Sequence, residues 1–410
     1  MPTHRFCPLG QPLRRLAPYI QVLAQNVEDS ITSMIGDALI IIPYNSEKCK
    51  NRQPTISLAP SGAIWYNIAV GSNFTVETYT DVQRFLALER DWNDLLKRSR
   101  QDTIFLTWQW QKTWWDFLGQ EAQLCIVTVR DGDELIGLAP LYTLPSNEGP
   151  KTLCLIGGVE VSDYLDIVVA SGREEMVYEA LWELLTQEHD HPWEIIDLHN
   201  LPAASPTRTT LPTLAMRTKG VQVTMETEDV CPIINLPSSW EEYLSLLNKK
   251  QRHEVRRKIR KANKEGMVRW YCVQDDKAVQ SEIEDFIELH EKSGRQKRAF
   301  MDQRMQSFFQ AIAHSTFKQG WLRLYSLLIN EVKTAALLCF DYNDSILVYN
   351  SGYDPQLHPS LSTGTVLLAY CIQDAIQEGR GVLDFLRGDE EYKYRLGGQD
   401  TEVYNLRIRR

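Results

Sequence analysis

The chain runs through one order of secondary elements twice, and this repetition limits its possible folds more than any single motif. The first pass opens with helical spacing in "VQRFLALERDWNDLLKRS" (82–99) and "LTWQWQKTWWDFLG" (106–119). A hairpin pattern follows in "QLCIVTVRDGDELIGLAPLYT" (123–143), turning at Asp131-Gly132-Asp133. Then come a strand, "KTLCLIGG" (151–158), the loop "VEVSDYLD", a helix (174–188) and the strand "WEIIDLHNL" (193–201). The second pass repeats this with helices "SEIEDFIELHEKSGR" and "MQSFFQAIAHSTFKQG", then a strand–turn–strand over 321–342 that turns at Asn330-Glu331. The strand "SILVYNSGYDP" (345–355), the loop "QLHPSLSTG", a helix (361–379) and "GVLDFLRG" (381–388) complete it. A doubly wound parallel sheet would alternate strand and helix throughout, so this order argues against one. It predicts two similar α/β domains, each with an antiparallel hairpin feeding a parallel strand–helix–strand crossover. The expected division is 1–73 as an N-terminal extension, 74–236 and 237–410, within the size that 410 residues allow.

Charge and cysteine usage narrow the function. A net charge of −10 excludes a surface that coats DNA or anionic lipid as a whole, so any anion site must be local. No two of the eight cysteines stand at metal-ligand spacing, and Cys125, Cys154, Cys339 and Cys371 lie in apolar runs. No metal is expected, and His189 and His191 read as a solvated loop. A reduced, cytoplasmic setting fits. No run reaches the ~18 apolar residues of a membrane span, and the N-terminus lacks signal-peptide order.

Chemistry is concentrated in the second pass. The helix at 361–379 opens on Ser362, Thr363 and Gly364, then presents Leu368, Ile372, Ala375 and Ile376 as its buried stripe. Ser362 or Thr363 can cap it, which makes a plain capped helix one reading. The other is that its free amides and partial positive charge receive a phosphate, with Gly364 allowing close approach. The position between two strands of a repeated module favours the ligand. The matching first-pass stretch, "SDYLDIVVASGREEM", carries Asp163 and Asp166, which would repel phosphate. The first half is therefore expected to hold an acceptor, with Asp163 and Tyr164 as candidates, or to act as scaffold. In "DFLRGDEEYKYRLGG" (384–398), Asp384, Asp389 and Glu390 could be bases, and Arg387 and Lys393 could hold an anion. A charged helix start explains Glu390 and Glu391 equally well. It explains Asp384 less well, because that residue interrupts an apolar strand. Tyr353 and Asp354 end the strand before the loop. Between 249 and 264 stand nine Lys or Arg residues on a helix whose narrow face is Leu247, Gln251, Val255, Ile259 and Ala262. That run is either a solvated face or an anion-binding arm. His290 is a candidate base, though a lone His on an amphipathic helix is more often structural. The four tryptophans of "TWQWQKTWW" are expected in the first-half core.

"SDYLD" (162–166), "QRHEVRRKIRKANKEG" (251–266) and "DFLRGDEEYKYRLGG" (384–398) carry a resemblance over residues 74–410. The chain resembles the GNAT acyltransferase core in the tandem arrangement of FemAB-type transferases, and is similar to the CelD-like (cellulose biosynthesis) acetyltransferases. The resemblance implies two GNAT-like domains, each a mixed sheet flanked by helices. It also implies transfer of an acyl group from acetyl-CoA or another acyl-CoA to an amine, on an amino sugar or an envelope or exopolysaccharide precursor. Ser362, Thr363 and Gly364 would then cradle the coenzyme A pyrophosphate, and Tyr392 would protonate the departing thiolate. Arg252, Arg256 and Arg257 would face the acceptor, with Arg260 and Lys261 in solvent. The acceptor could be a small molecule, a sugar or an anionic lipid-linked precursor at the membrane surface. Only one glycine stands in the donor loop, where the family pattern has spaced glycines. Two alternatives stay open: an aminoacyl-tRNA-dependent FemAB-like peptidoglycan transferase, and a non-catalytic subunit of polysaccharide assembly.

Overall fold

The computed structural model describes residues 74–144, 150–187 and 193–410, with the backbone of four short strands before them. His189, His191 and the polar stretch "NSEKCKNRQPT", apart from its last residue, lie outside the described residues. Two compact units are present. In Met1–Pro54, β1 (Ser30–Ile35) and β2 (Ala38–Pro43) form an antiparallel pair.

Thr55–Arg410 forms the second unit. Its first half contains β3 (Thr55–Leu58), β4 (Ile64–Asn67), β5 (Phe74–Tyr79), α1 (Val82–Ala87), α2 (Glu89–Leu96) and α3 (Trp108–Leu118). The hairpin β6 (Gln123–Asp131) and β7 (Glu134–Thr143) follows, then β8 (Thr152–Leu155), β9 (Val168–Val169), α4 (Glu174–Thr186), β10 (Ile195–Pro202), α5 (Thr207–Met216) and the long β11 (Gln222–Asn235). The second half runs through α6 (Trp240–Leu246), α7 (Lys249–Glu265), β12 (Val268–Cys272), α8 (Asp276–Lys292), α9 (Arg295–Phe300) and α10 (Gln303–Lys318). It closes with the hairpin β13 (Leu322–Ile329) and β14 (Val332–Tyr342), then β15 (Ser345–Tyr353), α11 (Thr363–Gln377), β16 (Val382–Asp384), α12 (Glu391–Arg395) and β17 (Gln399–Arg409). The β13–β14 turn falls where the sequence predicts it. Asn330 and Glu331 both have positive φ, 53° and 63°, as a two-residue primed turn requires.

One mixed sheet connects the halves. The order β5–β6–β7–β8–β10 is antiparallel up to β8 and parallel between β8 and β10, and β12–β13–β14–β15–β16 repeats it with β15 parallel to β16. Between them lie β17 and β11. The C-terminal strand β17 pairs with β10 of the first half, and β11, at the end of the first half, pairs with β16 of the second. Each half thus completes its sheet with a strand from the other. The aromatic core crosses the same seam. Trp110, fully buried on α3, meets Phe308, Phe340 and Tyr349 edge-on at 5.4–5.8 Å, an arrangement that suits their ring quadrupoles.

Packing on the other side of the second half is centred on α11, whose Val366, Leu367, Cys371 and Ile372 are fully buried. Helix α7 lies against it, held at its start by a capping box between Asn248 and Gln251 and buried through Val255 and Ala262. Helix α8 is pressed on β15 so closely that a Cβ at Gly352 would sit 2.4 Å from the His290 amide nitrogen. Among the described residues no helix is long and apolar enough to cross a membrane.

Candidate functional site

The site is made where two neighbouring strands part. β15 and β16 pair only over Ser345–Leu347 with Val382–Asp384. Beyond that, β15 stays on β14 to Tyr353, with a register shift that leaves Tyr349 as an extra residue. The other chain leaves the sheet after Asp384 through Leu386, a buried leucine with φ of 58°. A left-handed leucine is strained, and two side chains hold it. Asp384 Oδ1 accepts from the Leu386 amide at 2.7 Å. Lys393, 2% exposed, donates to the carbonyls of Leu386, Arg387 and Gly388 at 2.8–3.0 Å and to Glu390 at 2.9 Å. Lys393 therefore shapes this turn and has no proton left for a phosphate, contrary to the sequence expectation.

Two cavities open in the gap. The smaller, about 400 Å³, is lined by Pro359, Ser362, Thr363, Gly364, Thr365 and Leu368 on one side and by Leu337, Val348, Ser351, Tyr353 and Tyr392 on the other. Ser362 stands at the N-cap of α11 but does not cap it through its side chain, as the plain capped-helix reading would have it. Its backbone is left-handed (φ 52°, ψ 52°) and its side chain makes no capping bond. The first-turn amides thus meet the cavity without a side-chain cap. A Cβ at Gly364 would find only Tyr353 Cδ1, 3.7 Å away. Helix α7 adds charge nearby: Lys258 Nζ stands 3.4 Å from Thr365 Oγ1, and Lys261 donates to the Ser360 carbonyl at 3.0 Å. Lys261 thus braces the loop and is not a free solvent residue. A third cavity, about 490 Å³, continues past Thr365 and Tyr392 along Lys250, Gln251, Glu254 and Lys258.

The larger cavity, about 620 Å³, lies between the halves and shares Val348, Ser351, Tyr353 and Tyr392 with the smaller one. The first half contributes Glu160, Val161 and Asp163; the second contributes His290, Lys297, Asn350, Arg387 and Glu390 among others. Polar bonds close the seam around it. Tyr349 donates to the Val161 carbonyl at 2.9 Å, and Tyr164 donates to Asp384 Oδ2 at 2.8 Å. Arg387 donates to Asn200 Oδ1 at 2.9 Å and to the Val159 carbonyl, with its Nε 3.4 Å from Asp163 Oδ1. Burial pushes the Asp163 carboxyl up to about 6, against the lowering influence of Arg387. Burial raises Asp384 to about 6 as well, against the Leu386 amide and the Tyr164 hydroxyl. Asp384 has both oxygens engaged and does not line the cavity, whereas Asp163 does. Asp163, expected on the acceptor side, lines the cavity, whereas Asp384, expected as a base, lies behind it and accepts from Tyr164. Asp166 is wholly buried on Thr207 and the Ile167 amide, away from both cavities.

The remaining candidates separate. Tyr392 lines all three cavities, and burial with Glu390 raises its hydroxyl pKa, so it keeps its proton at neutral pH. His290 is 2% exposed in the cavity wall, its Nε2 3.2 Å from Asn350 Oδ1. Burial, with Lys297 adding, lowers it to about 4, so it is neutral and a poor base. Tyr353 lines both cavities, but Asp354 closes the following turn on the Gln356 amide. Asp389 is exposed and lines none of the three cavities. Arg252, Arg256 and Arg257 also line none of them. Arg256 pairs with Glu241 and Arg257 with Glu254 at the surface. Helix rotation points Lys250, Gln251, Glu254 and Lys258 inward instead. The sequence reading missed Lys297, Asn350, Ser351 and Asn200. Asn200 had a usable signal, because an Asn ending an apolar strand tolerates the left-handed backbone it adopts here, φ 57°.

Among the described residues no three His, Cys, Asp or Glu side chains gather as a metal site. No curated protein matches the sequence. Residues 249–394 match the family model described as Acetyltransferase (GNAT) domain. FemX shares the fold, with a TM-score of 0.56 at 12% identity, covering 78% of this chain and 95% of its own. So does a conserved protein of unknown function from Bacteroides thetaiotaomicron, with a TM-score of 0.52 at 10% identity, over 81% of this chain and 99% of that one. Parted parallel strands with a small-residue helix start beside them lie within the stretch that matches the GNAT acetyltransferase domain model, residues 249–394, and the chain as a whole shares the fold of FemX.

Proposed function

We propose that the chain transfers an acyl group from a coenzyme A thioester to an amine. The carrying observation is that a cavity at the uncapped start of α11 shares a wall with an inter-half cavity containing Asp163. In this reading the amides of Thr363, Gly364 and Thr365, with Lys258, receive the donor's diphosphate. The donor supplies the activated carbonyl. The acceptor amine nitrogen attacks that carbonyl, a C–N bond forms and the C–S bond breaks. Asp163 takes the proton the amine loses, and Tyr392 gives its proton to the departing thiolate. Residues 74–236 would carry the acceptor side and 237–410 the donor side, with an amino sugar or an envelope or exopolysaccharide precursor as acceptor, as CelD-like proteins suggest.

Calorimetric titration with acetyl-CoA tests the donor. Thr365→Glu, which sets a carboxylate against the diphosphate, is expected to abolish the heat. Asp163→Asn is expected to leave donor binding intact and lower turnover by about 10²–10⁴-fold. No heat from acetyl-CoA with folded protein would refute the donor reading. The basic outer face of α7 supports a second reading, with aminoacyl-tRNA as donor. Charged tRNA would then bind with a steep salt dependence, and acetyl-CoA would not bind.

A further inference from the structure

Lys297 projects from α9 into the wall of the inter-half cavity. Its Nζ donates to the Ser351 carbonyl and lies 3.2 Å from Ser351 Oγ, and among the described residues it makes no ion pair. This partly buried ammonium is in contact with Ser351 alone, and Glu390, the nearest acid acting on it, is not in ion-pair contact. Beside it the His290 ring is 2% exposed, and its Nδ1 has no hydrogen-bond partner. The other cations of this cavity are already neutralised: Arg387 by Asp163, and Lys393 by Glu390 and three carbonyls. Across the space, the first-half loop presents Glu160, exposed and without an ion pair among the described residues, next to Asp163. The cavity therefore holds one cation, Lys297, with no carboxylate in contact, and one acid, Glu160, with no ion pair among the described residues, beside Asp163 on Arg387.

We propose that the inter-half cavity takes a zwitterionic acceptor: an amine facing Asp163 and Glu160, joined to a phosphate or carboxylate that Lys297 binds. The inference rests on the reading of this cavity as the acceptor site. A volume of about 620 Å³ leaves room for both groups on one molecule.

The test is a calorimetric titration without donor, in two arms. One compares glucosamine 6-phosphate with glucosamine and glucose 6-phosphate; the other compares 6-aminohexanoate with hexylamine. In at least one arm the molecule carrying both charges should bind about 10-fold tighter or more, the strength expected of one charge-assisted contact. The arm that shows it identifies the anion as phosphate or carboxylate. Lys297→Met should erase that preference while leaving the plain amine unchanged, and Lys297→Arg should keep most of it. Equal binding within both arms, binding of no probe, or a preference that survives Lys297→Met would overturn the inference. Acetyl-CoA turnover without anion preference would sink this inference alone. Anion preference without acetyl-CoA binding would sink the donor reading alone.

Discussion

Removing one hydroxyl at the seam should produce a pH-dependent loss of stability whose sign follows from the structure. Tyr164→Phe deletes the donor to Asp384 Oδ2 and leaves that carboxylate with the Leu386 amide alone. Asp384 is raised from an ordinary 3.8 to about 6. The folded state therefore holds its proton more tightly than the unfolded chain does. The stability this gives is present at low pH and is lost as pH rises from about 3.8 through about 6, a cost of about 3 kcal/mol at ~1.36 kcal/mol per pKa unit. Tyr164 opposes that cost. Its hydrogen bond is worth about 1.5–3 kcal/mol to the ionised carboxylate and about 0.5–1.5 kcal/mol to the protonated acid. The variant should thus be destabilised at both pH 5 and pH 8, and by about 1 kcal/mol more at pH 8, with Asp384 moving up by about one unit. Urea midpoints of the two proteins at both pH values measure this, and the pair of Asp384→Asn with and without Tyr164→Phe gives the control. In the Asn background the extra loss at pH 8 should vanish. A loss equal at the two pH values, or greater at pH 5, would refute the account of Asp384 as a buried acid held by Tyr164.

Two further outcomes follow from contacts elsewhere. Gly352→Ala forces a Cβ to 2.4 Å from the His290 nitrogen and 2.7 Å from the Leu289 carbonyl carbon, both backbone atoms. It should lower stability by about 1–3 kcal/mol, whereas Gly364→Ala, with only Tyr353 at 3.7 Å, should not; denaturation midpoints of the two variants separate these cases. His199 is raised to about 9 by its hydrogen bonds to Asp197 and Glu228. Its contribution should be complete below about pH 6.5 and be lost as pH rises through about 9, a slope that should disappear in His199→Gln.

Local chemistry made much of the fold legible. Hairpin turns at Asp131–Asp133 and Asn330-Glu331, and the strand–helix–strand crossover after each, rest on turn residues and periodicity, which neighbouring residues determine. The strand exchange was not legible, because β17 reads as an ordinary final strand and nothing within it indicates that β10 is its partner. Helix α5 escaped for a local reason: "TRTTLPTLAM" has four β-branched threonines and an internal Pro212, poor helix formers that tertiary packing overrides. The same distinction divides the site. Ser362–Gly364 and the cluster after Asp384 stood out by composition, but which acid faces the cavity depends on how two distant loops meet. Lys297 sits in "RQKRAF", which reads as solvated surface until Ser351 is brought against it.

The exchange of strands also constrains how ligands reach the site. If the halves opened like a hinge, β17 would have to leave β10 or β11, or β11 would have to leave β16, breaking ladders of backbone hydrogen bonds. Tyr349 on Val161, Tyr164 on Asp384 and Arg387 on Asn200 would break with them. Several buried polar groups would then lose partners at about 1–3 kcal/mol each, a large fraction of the stability of an ordinary domain. Domain opening is therefore an expensive route. The cavities meet at Tyr392, which is 39% exposed and fixed only on its ring side by Phe385 at 6.2 Å. Among the described residues the Tyr392 hydroxyl makes no hydrogen bond, so rotation of that one side chain can change the passage between the cavities while the two halves stay joined.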